Sequence, residues 1–347
     1  MLEKDLMVVV MKIKFNNSKW NFLVLIFAWL ILIVLFTGCK MGGQQNNEES
    51  QSGYTVVDDF GTKVYFKAPP QKIITLAMGT DSIVLGLGEQ KRLLAISSLA
   101  DDPSSSNVVK QAQQIKRKIW NPSQEEVLSL NPELVLTYAW TDPELIKNIR
   151  SLGINVFVIK NPQTISDIKD NVHQIAAALH IFSSGDKLTQ MMDDKLLEIK
   201  KKLAQKNIRQ PKKVVLVSLM NTYGGKGCIF DDMCREAGVI NGVAAAGIEN
   251  GQPVTKEMLV KINPDLFIMP VYNDHNTFDI NKYNKEFLED PALQTLTAIK
   301  NKQLFYPKEG FIYNCSQDVV FGVQEIAHAA YGETFSLSGD SHLHVEK

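Results

Sequence analysis

A set of mostly aromatic and amide-bearing residues lies at the ends of short apolar runs, or in the loops that follow them. Rings bind large ligands by stacking, and amides add neutral hydrogen bonds, so the set predicts binding of a bulky planar or amphipathic ligand rather than catalysis. The nearby cations in the sequence are Lys226 and Lys308. The candidate ligand-binding residues are Met78, Thr80, Trp120, Tyr138, Trp140, Asn221, Tyr223, Tyr272, Asn273, Phe311 and Tyr313.

Trp140 is the strongest of these candidates, because it comes just after an apolar run and beside a loop that contains Pro143. For any single ring, packing in a hydrophobic core or between two parts of the protein is an equally good interpretation, since aromatic side chains are also major core residues.

Motifs of catalytic sites are incomplete or missing. Residues 86–88 carry two glycines but lack the third glycine of a dinucleotide fingerprint, and residues 224–227 lack the Ser or Thr that ends a phosphate loop. Neither Gly-x-Ser-x-Gly nor His-Glu-x-x-His occurs. His173, His180, His275 and His328 are scattered along the chain. The sequence therefore predicts a protein that is not an enzyme and has neither a resident cofactor nor a metal site of its own.

One segment of the chain occurs twice. Residues 123–138 and 255–270 align so that Ser123 matches Thr255, Glu125 matches Glu257, and one Asn-Pro matches the other. A hydroxyl cap, acidic residues in the first turn and an Asn-Pro stop predict a short helix, and the apolar run that follows is typical of a buried parallel strand. The repeat predicts two similar lobes with a glutamate at an equivalent surface position. Chance recurrence of a common helix-to-strand connection is the alternative.

Strand and helix patterns alternate along the rest of the chain. A hairpin is predicted over residues 54–66, followed by buried strands in both halves, so the fold class is α/β with two Rossmann-like lobes and central, mostly parallel sheets. Helical spacing over residues 186–206 predicts one long helix of about 30 Å that joins the lobes, with Ser183-Ser184-Gly185 interrupting the pattern before it.

The first residues predict a targeting segment. Lys12, Lys14 and Lys19 precede an uncharged apolar run at 20–36, and Thr37-Gly38-Cys39 follows. The small residues before Cys39 resemble a bacterial lipoprotein signal in which Cys39 becomes the lipid-bearing residue. A signal-anchor helix is the alternative.

The predicted organisation is a signal peptide at 1–39, a flexible tether at 40–53, an N-terminal lobe at 54–182 and a connecting helix at 183–207. A C-terminal lobe at 208–335 and a polar, mobile tail at 336–347 follow. Cys228 and Cys234 are close enough in sequence for a disulfide, and buried thiols are the alternative.

From about residue 54 to residue 331 the chain resembles the substrate-binding proteins of ABC importers for iron-siderophores, haem and vitamin B12, whose lobes are joined by one long helix. The matching parts are the hairpin, residues 72–76 leading into 85–88, both Glu…Asn-Pro copies, the connecting helix, and segments 237–241 and 292–304. The resemblance implies a monomer that captures its ligand between the lobes and delivers it to a membrane permease with its ATPase.

The same resemblance gives the repeated glutamates a role. Glu125 and Glu257 match the surface glutamates that meet arginines of the permease, whereas Glu126 is expected to form a capping box with Ser123. A ferric siderophore is the first choice of ligand, a corrinoid the second, and haem the third, with Tyr138, Tyr223 or His275 as its axial ligand. A lipid-anchored extracytoplasmic enzyme is the alternative function.

Charge and composition agree with this class. The 347 residues are 45% hydrophobic and carry a formal net charge of −1, without a long basic block. A protein of this length and hydrophobicity can bury a sizeable core, and its charge excludes nucleic acid as the expected partner. The expected location is extracytoplasmic, on a lipid anchor.

Overall fold

The computed structural model describes residues 53–273, 277–337 and 341–346. The predicted signal peptide, Cys39 and nearly all of the tether lie outside the described residues, as does His275. Among the described residues, no helix is both long and apolar enough to cross a membrane.

The described chain begins with the predicted hairpin. Strands β1 (Tyr54–Val57) and β2 (Lys63–Phe66) pair in antiparallel register. The Asp58 carboxylate accepts hydrogen bonds from the backbone N–H groups of Phe60 and Thr62 and pairs with Arg150. The turn is therefore closed by an aspartate, which is a common turn residue for this reason.

A first sheet of five parallel strands follows, in the order β5-β4-β3-β6-β7. Successive residues of its strands face opposite sides, so Ile73 and Leu134 join one hydrophobic cluster whereas Ile74 and Val135 join another. The strands are β3 (Ile73–Thr75), β4 (Leu93–Ser97), β5 (Arg117–Ile119), β6 (Leu134–Tyr138) and β7 (Val156–Ile159). The helices are α1 (Met78–Gly86), α2 (Val109–Ala112), α3 (Gln124–Ser129), α4 (Pro143–Ser151) and α5 (Ile165–Ala178).

A second, separate sheet of four parallel strands has the order β11-β10-β8-β9. Its strands are β8 (Lys213–Leu216), β9 (Ile240–Asn241), β10 (Leu266–Ile268) and β11 (Leu304–Phe305). Its helices are α7 (Ile229–Glu236), α8 (Gly242–Ala245), α9 (Lys256–Ile262), α10 (Ile280–Leu288), α11 (Thr297–Lys300), α12 (Glu309–Ile312) and α13 (Val319–Tyr331). The two sheets and their helices are called the first and second lobe below. They confirm the predicted α/β class with two parallel sheets.

The helix α6 (Phe182–Gln205) joins the lobes and has 24 residues. Leu188 belongs to the hydrophobic cluster of the first lobe, whereas Met192 and Ile199 belong to that of the second. The sequence predicts an interruption at Ser183-Ser184-Gly185, before this helix; the two helices α5 and α6 are separate, but the break lies at residues 179–181 and these three residues belong to the first turn of α6. A Cβ on Gly185 would lie 2.7 Å from the Cβ of Ala176, so the glycine allows α5 and α6 to pack closely.

The repeated segment has the same structure in both lobes. It gives α3 followed by β6, and α9 followed by β10, and the asparagines between them are both left-handed, with φ of 47° at Asn131 and 43° at Asn263. Asparagine tolerates this conformation better than most residues. Each acidic residue after the proline then accepts a backbone N–H at or near the start of a neighbouring strand, Glu133 from Gln71 and Asp265 from Lys213.

The caps of these helices differ from the prediction in one detail. Ser123 Oγ accepts the backbone N–H of Glu126 at 3.2 Å, as expected. The Glu126 carboxylate pairs with Arg117, so the predicted capping box does not form. A charged partner on the neighbouring strand β5 competes successfully with the backbone N–H of Ser123 because charge-assisted hydrogen bonds are the stronger kind.

The end of the chain is packed, which contradicts the prediction of a mobile tail for its described part. His342 is buried, with its Nδ1 2.7 Å from Asp318 Oδ2, and the Leu343 N–H donates to the other oxygen of Asp318. The Val345 N–H donates to the Gly86 carbonyl of the first lobe at 2.8 Å, and its side chain joins that lobe's hydrophobic cluster. Residues 341–346 therefore connect the start of α13 to the first lobe.

Candidate functional site

The two lobes touch through loops that follow their strands. Asn107 Nδ2 of the first lobe donates to Asp318 Oδ2 of the second at 2.6 Å, and the Asn273 N–H reaches Ser104 Oγ at 3.5 Å. The carboxyl ends of parallel strands are where α/β proteins bind ligands, and residues of this contact follow such ends, Ser104 and Asn107 after β4 and Asn273 after β10.

A stacked pair of rings stands at the carboxyl end of β6. Tyr138 is the last residue of the strand and is fully buried, and the Trp140 ring stacks on it with centroids 4.1 Å apart at 19°. The Trp140 side chain is nevertheless 52% exposed. Its backbone N–H donates to Asn161 Oδ1 at 3.0 Å, and the hydroxyls of Thr137 and Thr141 lie 2.6 Å apart beneath the loop. Trp140 is thus a solvent-facing ring that packs on a buried tyrosine and belongs to a hydrogen-bonded loop.

The other candidates of the first lobe have different surroundings. Trp120 follows β5 and is 60% exposed. Met78 begins α1 and is half-buried, whereas Thr80 is fully buried and its hydroxyl donates to the Ala77 carbonyl at 2.7 Å. The prediction that Thr80 contacts the ligand is not supported by its position, because it lies in the first turn of α1 and has no accessible surface.

A second pair of rings lies in the second lobe. Tyr223 and Tyr313 have centroids 5.2 Å apart, and the Tyr313 hydroxyl donates to Ser218 Oγ at 2.9 Å. Burial raises the pKa of both phenols above its usual value, so both stay protonated. Asn221, in the same loop after β8, is exposed.

The remaining candidates of the second lobe are held by local packing. The Glu309 carboxylate accepts the backbone N–H groups of Val271 and Tyr272, at 3.2 and 3.1 Å, which fixes the loop that carries Tyr272 and Asn273. Burial raises the pKa of Glu309. Phe311 is 6% exposed and packs against Phe321.

Cys315 connects the two ring pairs. Its carbonyl accepts the Tyr138 hydroxyl at 2.5 Å, and burial raises the pKa of its thiol to about 12. The thiol also contributes, after burial, to the raised pKa of Tyr138 and of Tyr223, so it lies near both rings. Sequence reasoning missed this residue as part of the site, although its place two residues after Tyr313 was a usable signal. Cys228, Cys234 and Cys315 are all free thiols.

A cavity of about 570 Å³ opens beside this contact. Phe311 lines it together with Asn107 of the first lobe and His328 and His342 of the second. Its volume is in the range of small-molecule sites. Within the described parts of the chain, no group of His, Cys, Asp or Glu side chains is arranged to hold a metal ion.

The two repeated glutamates, Glu125 and Glu257, are both exposed. Hydrogen bonds from its own backbone N–H and from Gln124 lower the pKa of Glu125, and the Thr255 hydroxyl and its own N–H lower that of Glu257. Each is followed three residues later by an exposed apolar side chain, Leu128 at 47% and Val260 at 39%. Both lobes therefore present an anionic group next to an apolar one on the same helix face.

Comparison with known proteins gives the class to which this fold and site belong. Residues 73–309 match the family model described as periplasmic binding protein, and the chain belongs to that family. The match confirms the family resemblance inferred from the sequence. Members of this family are binding proteins of transport systems rather than enzymes.

Individual relatives are more distant. The chain is 24% identical over 321 residues to an uncharacterized ABC transporter substrate-binding lipoprotein, YvrC, of Bacillus subtilis, covering 89% of this chain and 96% of that protein. It is 23% identical over 110 residues to a vitamin B12-binding protein of Vibrio vulnificus, covering 31% and 38% respectively. The solved structure of the periplasmic haem-binding protein RhuT from Roseiflexus superposes with a TM-score of 0.63 at 20% identity, covering 75% of this chain and 98% of that one. This last likeness shows the shared fold.

Proposed function

We propose that this protein is the substrate-binding lipoprotein of an ABC importer and that it captures a corrinoid between its two lobes. The observation that carries the proposal is the Trp140 ring, half-exposed and stacked on Tyr138 at the carboxyl edge of the first sheet. An exposed indole on a fixed base suits the apolar face of a large, flat ligand.

The charge of the candidate residues favours a corrinoid over the other ligands. All of them are uncharged; of the two nearby cations, Lys226 pairs with Glu249, and Lys308 is a single exposed cation at the cavity that Phe311 lines. A strongly anionic iron chelate would need cationic partners that these residues do not supply. Matches to vitamin B12-binding proteins from two Vibrio species support the same choice.

A ligand whose metal is already fully coordinated also suits the site, because the described residues hold no cluster of metal ligands. A ferric siderophore of low charge meets this condition too and is the second candidate. Haem requires an axial side chain, and Tyr138 is unsuited because its hydroxyl is buried and donates to the Cys315 carbonyl.

Partial burial divides the predicted ligand residues into two groups. We assign direct contact to the residues with accessible surface, which are Met78, Trp120, Trp140, Asn221, Tyr223, Tyr272, Asn273 and Tyr313. We assign support of the site to Thr80, Tyr138 and Phe311, because they are buried.

The permease is the partner that we propose for the exposed first turns of α3 and α9. Glu125 and Glu257 stay ionised because their pKa values are lowered, and they occupy equivalent positions on α3 and α9. Exposed ion pairs contribute only about 0 to 1 kcal/mol each, so two of them orient a transient contact more than they strengthen it. We further propose that residues 54–182 and 208–335 are the two lobes, that residues 183–207, most of which form α6, connect them, and that lipid on Cys39 holds the protein outside the cytoplasm.

Isothermal titration calorimetry tests the proposed ligand. Cyanocobalamin should bind the purified protein with one-to-one stoichiometry and be recovered unchanged. Ferrichrome, an uncharged ferric siderophore, and haemin are the comparison ligands. Binding of ferrichrome without cyanocobalamin would transfer the proposal to the second candidate, and chemical conversion of the bound compound would contradict a transport function.

A further inference from the structure

We propose that Tyr138 is a positioning residue that couples contact between the lobes to the orientation of Trp140, without touching the ligand itself. The inference rests on the proposed function, in which Trp140 is the ligand platform. It goes further by assigning a separate role to a residue that the sequence presents as one more ligand-binding ring.

Tyr138 lies between two partners, Trp140 of its own lobe and Cys315 of the other. Its ring stacks on the Trp140 indole, while its hydroxyl donates to the Cys315 carbonyl across the lobe contact. The residue is fully buried, so a ligand on Trp140 would meet the indole and not the phenol. One side chain therefore contacts both the platform and the opposite lobe.

The hydrogen-bond acceptor of Tyr138, the Cys315 carbonyl, lies in a rigid turn. Asn314 Nδ2 donates to the Gly310 carbonyl at 2.7 Å, and Asn314 Oδ1 accepts the backbone N–H and the hydroxyl of Ser316, both at 2.7 Å. These three bonds bracket Cys315. Its carbonyl is thereby held in a fixed direction, and a movement of the second lobe would carry it away from the Tyr138 hydroxyl.

The hydrogen bond requires room for the Tyr138 hydroxyl and a phenol that keeps its proton. A Cβ on Gly79 would lie 2.5 Å from Tyr138 Oη, so only glycine leaves room for the hydroxyl. Burial, with smaller effects of Cys315 and Asp81, raises the pKa of Tyr138 well above its usual value. The phenol consequently keeps its proton and remains a hydrogen-bond donor throughout the physiological range.

The consequence concerns ligand binding. While the lobes are in contact, the Tyr138 ring is fixed by its stacking on Trp140 and by the hydrogen bond of its hydroxyl, so the Trp140 ring packs against an immobile neighbour. When the lobes separate, the Tyr138 hydroxyl loses its acceptor, and the Tyr138 ring is free to move. Binding at Trp140 and closure of the lobes would then favour each other, because both depend on one orientation of the Tyr138 ring.

Tyr138→Phe tests this coupling, because it keeps the stacked ring and removes only the hydroxyl. Trp140 becomes the only tryptophan when Trp20, Trp29 and Trp120 are replaced by Phe in the full chain. In this background, without ligand, we expect Tyr138→Phe to give the Trp140 fluorescence anisotropy an added fast decay. We also expect Tyr138→Phe in the otherwise unchanged protein, with Trp120 in place, to bind cyanocobalamin about 3- to 10-fold more weakly than the parent, which corresponds to one hydrogen bond.

Tyr54→Phe is the matched control. The Tyr54 ring also stacks on an aromatic neighbour, Phe66, and its hydroxyl donates to a backbone carbonyl, that of Ala178, at 2.7 Å within the first lobe. It should leave both the anisotropy decay and the affinity unchanged. An equal effect of both substitutions would show a general loss of stability and would overturn the positioning role.

The two proposals fail differently. If Trp140→Ala binds cyanocobalamin as the parent does, the proposed ligand platform is wrong, whereas the anisotropy of ligand-free Tyr138→Phe still tests the coupling. If Trp140→Ala loses binding but Tyr138→Phe matches the parent in both measurements, the platform stands and the positioning role is refuted.

Discussion

Replacing Trp140 by Ala is the most direct test of the proposed site, and the structure gives the size of the effect. A tryptophan side chain offers up to about 250 Å² of contact area, and that of Trp140 is 52% exposed. A ligand that covers the exposed part would bury about 130 Å² on it. At about 25 cal/mol per Å², this contact contributes about 3 kcal/mol, or roughly 100-fold in Kd.

The assay is calorimetric titration of Trp140→Ala with cyanocobalamin, beside Trp140→Phe, which should lose less because a ring remains. Tyr65→Ala is the control, since Tyr65 is 54% exposed on the hairpin strand β2, away from the carboxyl edge of the sheet. Circular dichroism melting curves should show that all three variants remain folded. A Kd for Trp140→Ala within twofold of the parent value would refute the assignment and make the ring an ordinary surface residue.

Three further outcomes are expected. Glu125→Lys combined with Glu257→Lys should abolish uptake in cells while calorimetry shows unchanged ligand affinity, because both carboxylates are exposed and neither is among the proposed ligand contacts; lost affinity would instead place them in the cleft. Asp81→Asn should raise the thermal midpoint more at pH 7 than at pH 4. Burial raises the pKa of Asp81 well above its unfolded value, so the native carboxyl lowers stability increasingly as the pH rises above about 4. An equal gain at both pH values would show that ionisation of Asp81 is not the cause. Cys39→Ala should abolish incorporation of labelled fatty acid into the protein in cells, and the same absence of label in the parent protein would favour a signal-anchor helix.

Local signals in the sequence were sufficient for much of the fold. The repeated segment could be predicted because its hydroxyl caps, first-turn acids and Asn-Pro stops act within a few residues, and both copies fold as expected. The hairpin at residues 54–66 followed for the same reason, since Asp58 closes its turn through neighbouring backbone groups.

Features that depend on distant partners could not be predicted in this way. Gly185 looked like a helix breaker, but it lies in the first turn of α6. Its missing side chain leaves room for Ala176 of the preceding helix. Tyr138 looked like a ligand residue, but it is fully buried and its hydroxyl donates to the carbonyl of Cys315, which is 177 positions away. The residue types were informative in both cases, whereas their neighbours were set by tertiary packing.

The packed end of the chain has a consequence for how the two lobes share stability. Residues 341–346 extend from the second lobe, yet Val345 contributes to the core of the first and His342 is buried against Asp318. The first lobe thus takes part of its interior from a segment that follows the second lobe, and the same segment is tied to the second lobe through Asp318. Melting one lobe would expose apolar surface in both, so the protein is built to unfold as one thermodynamic unit despite its two sheets.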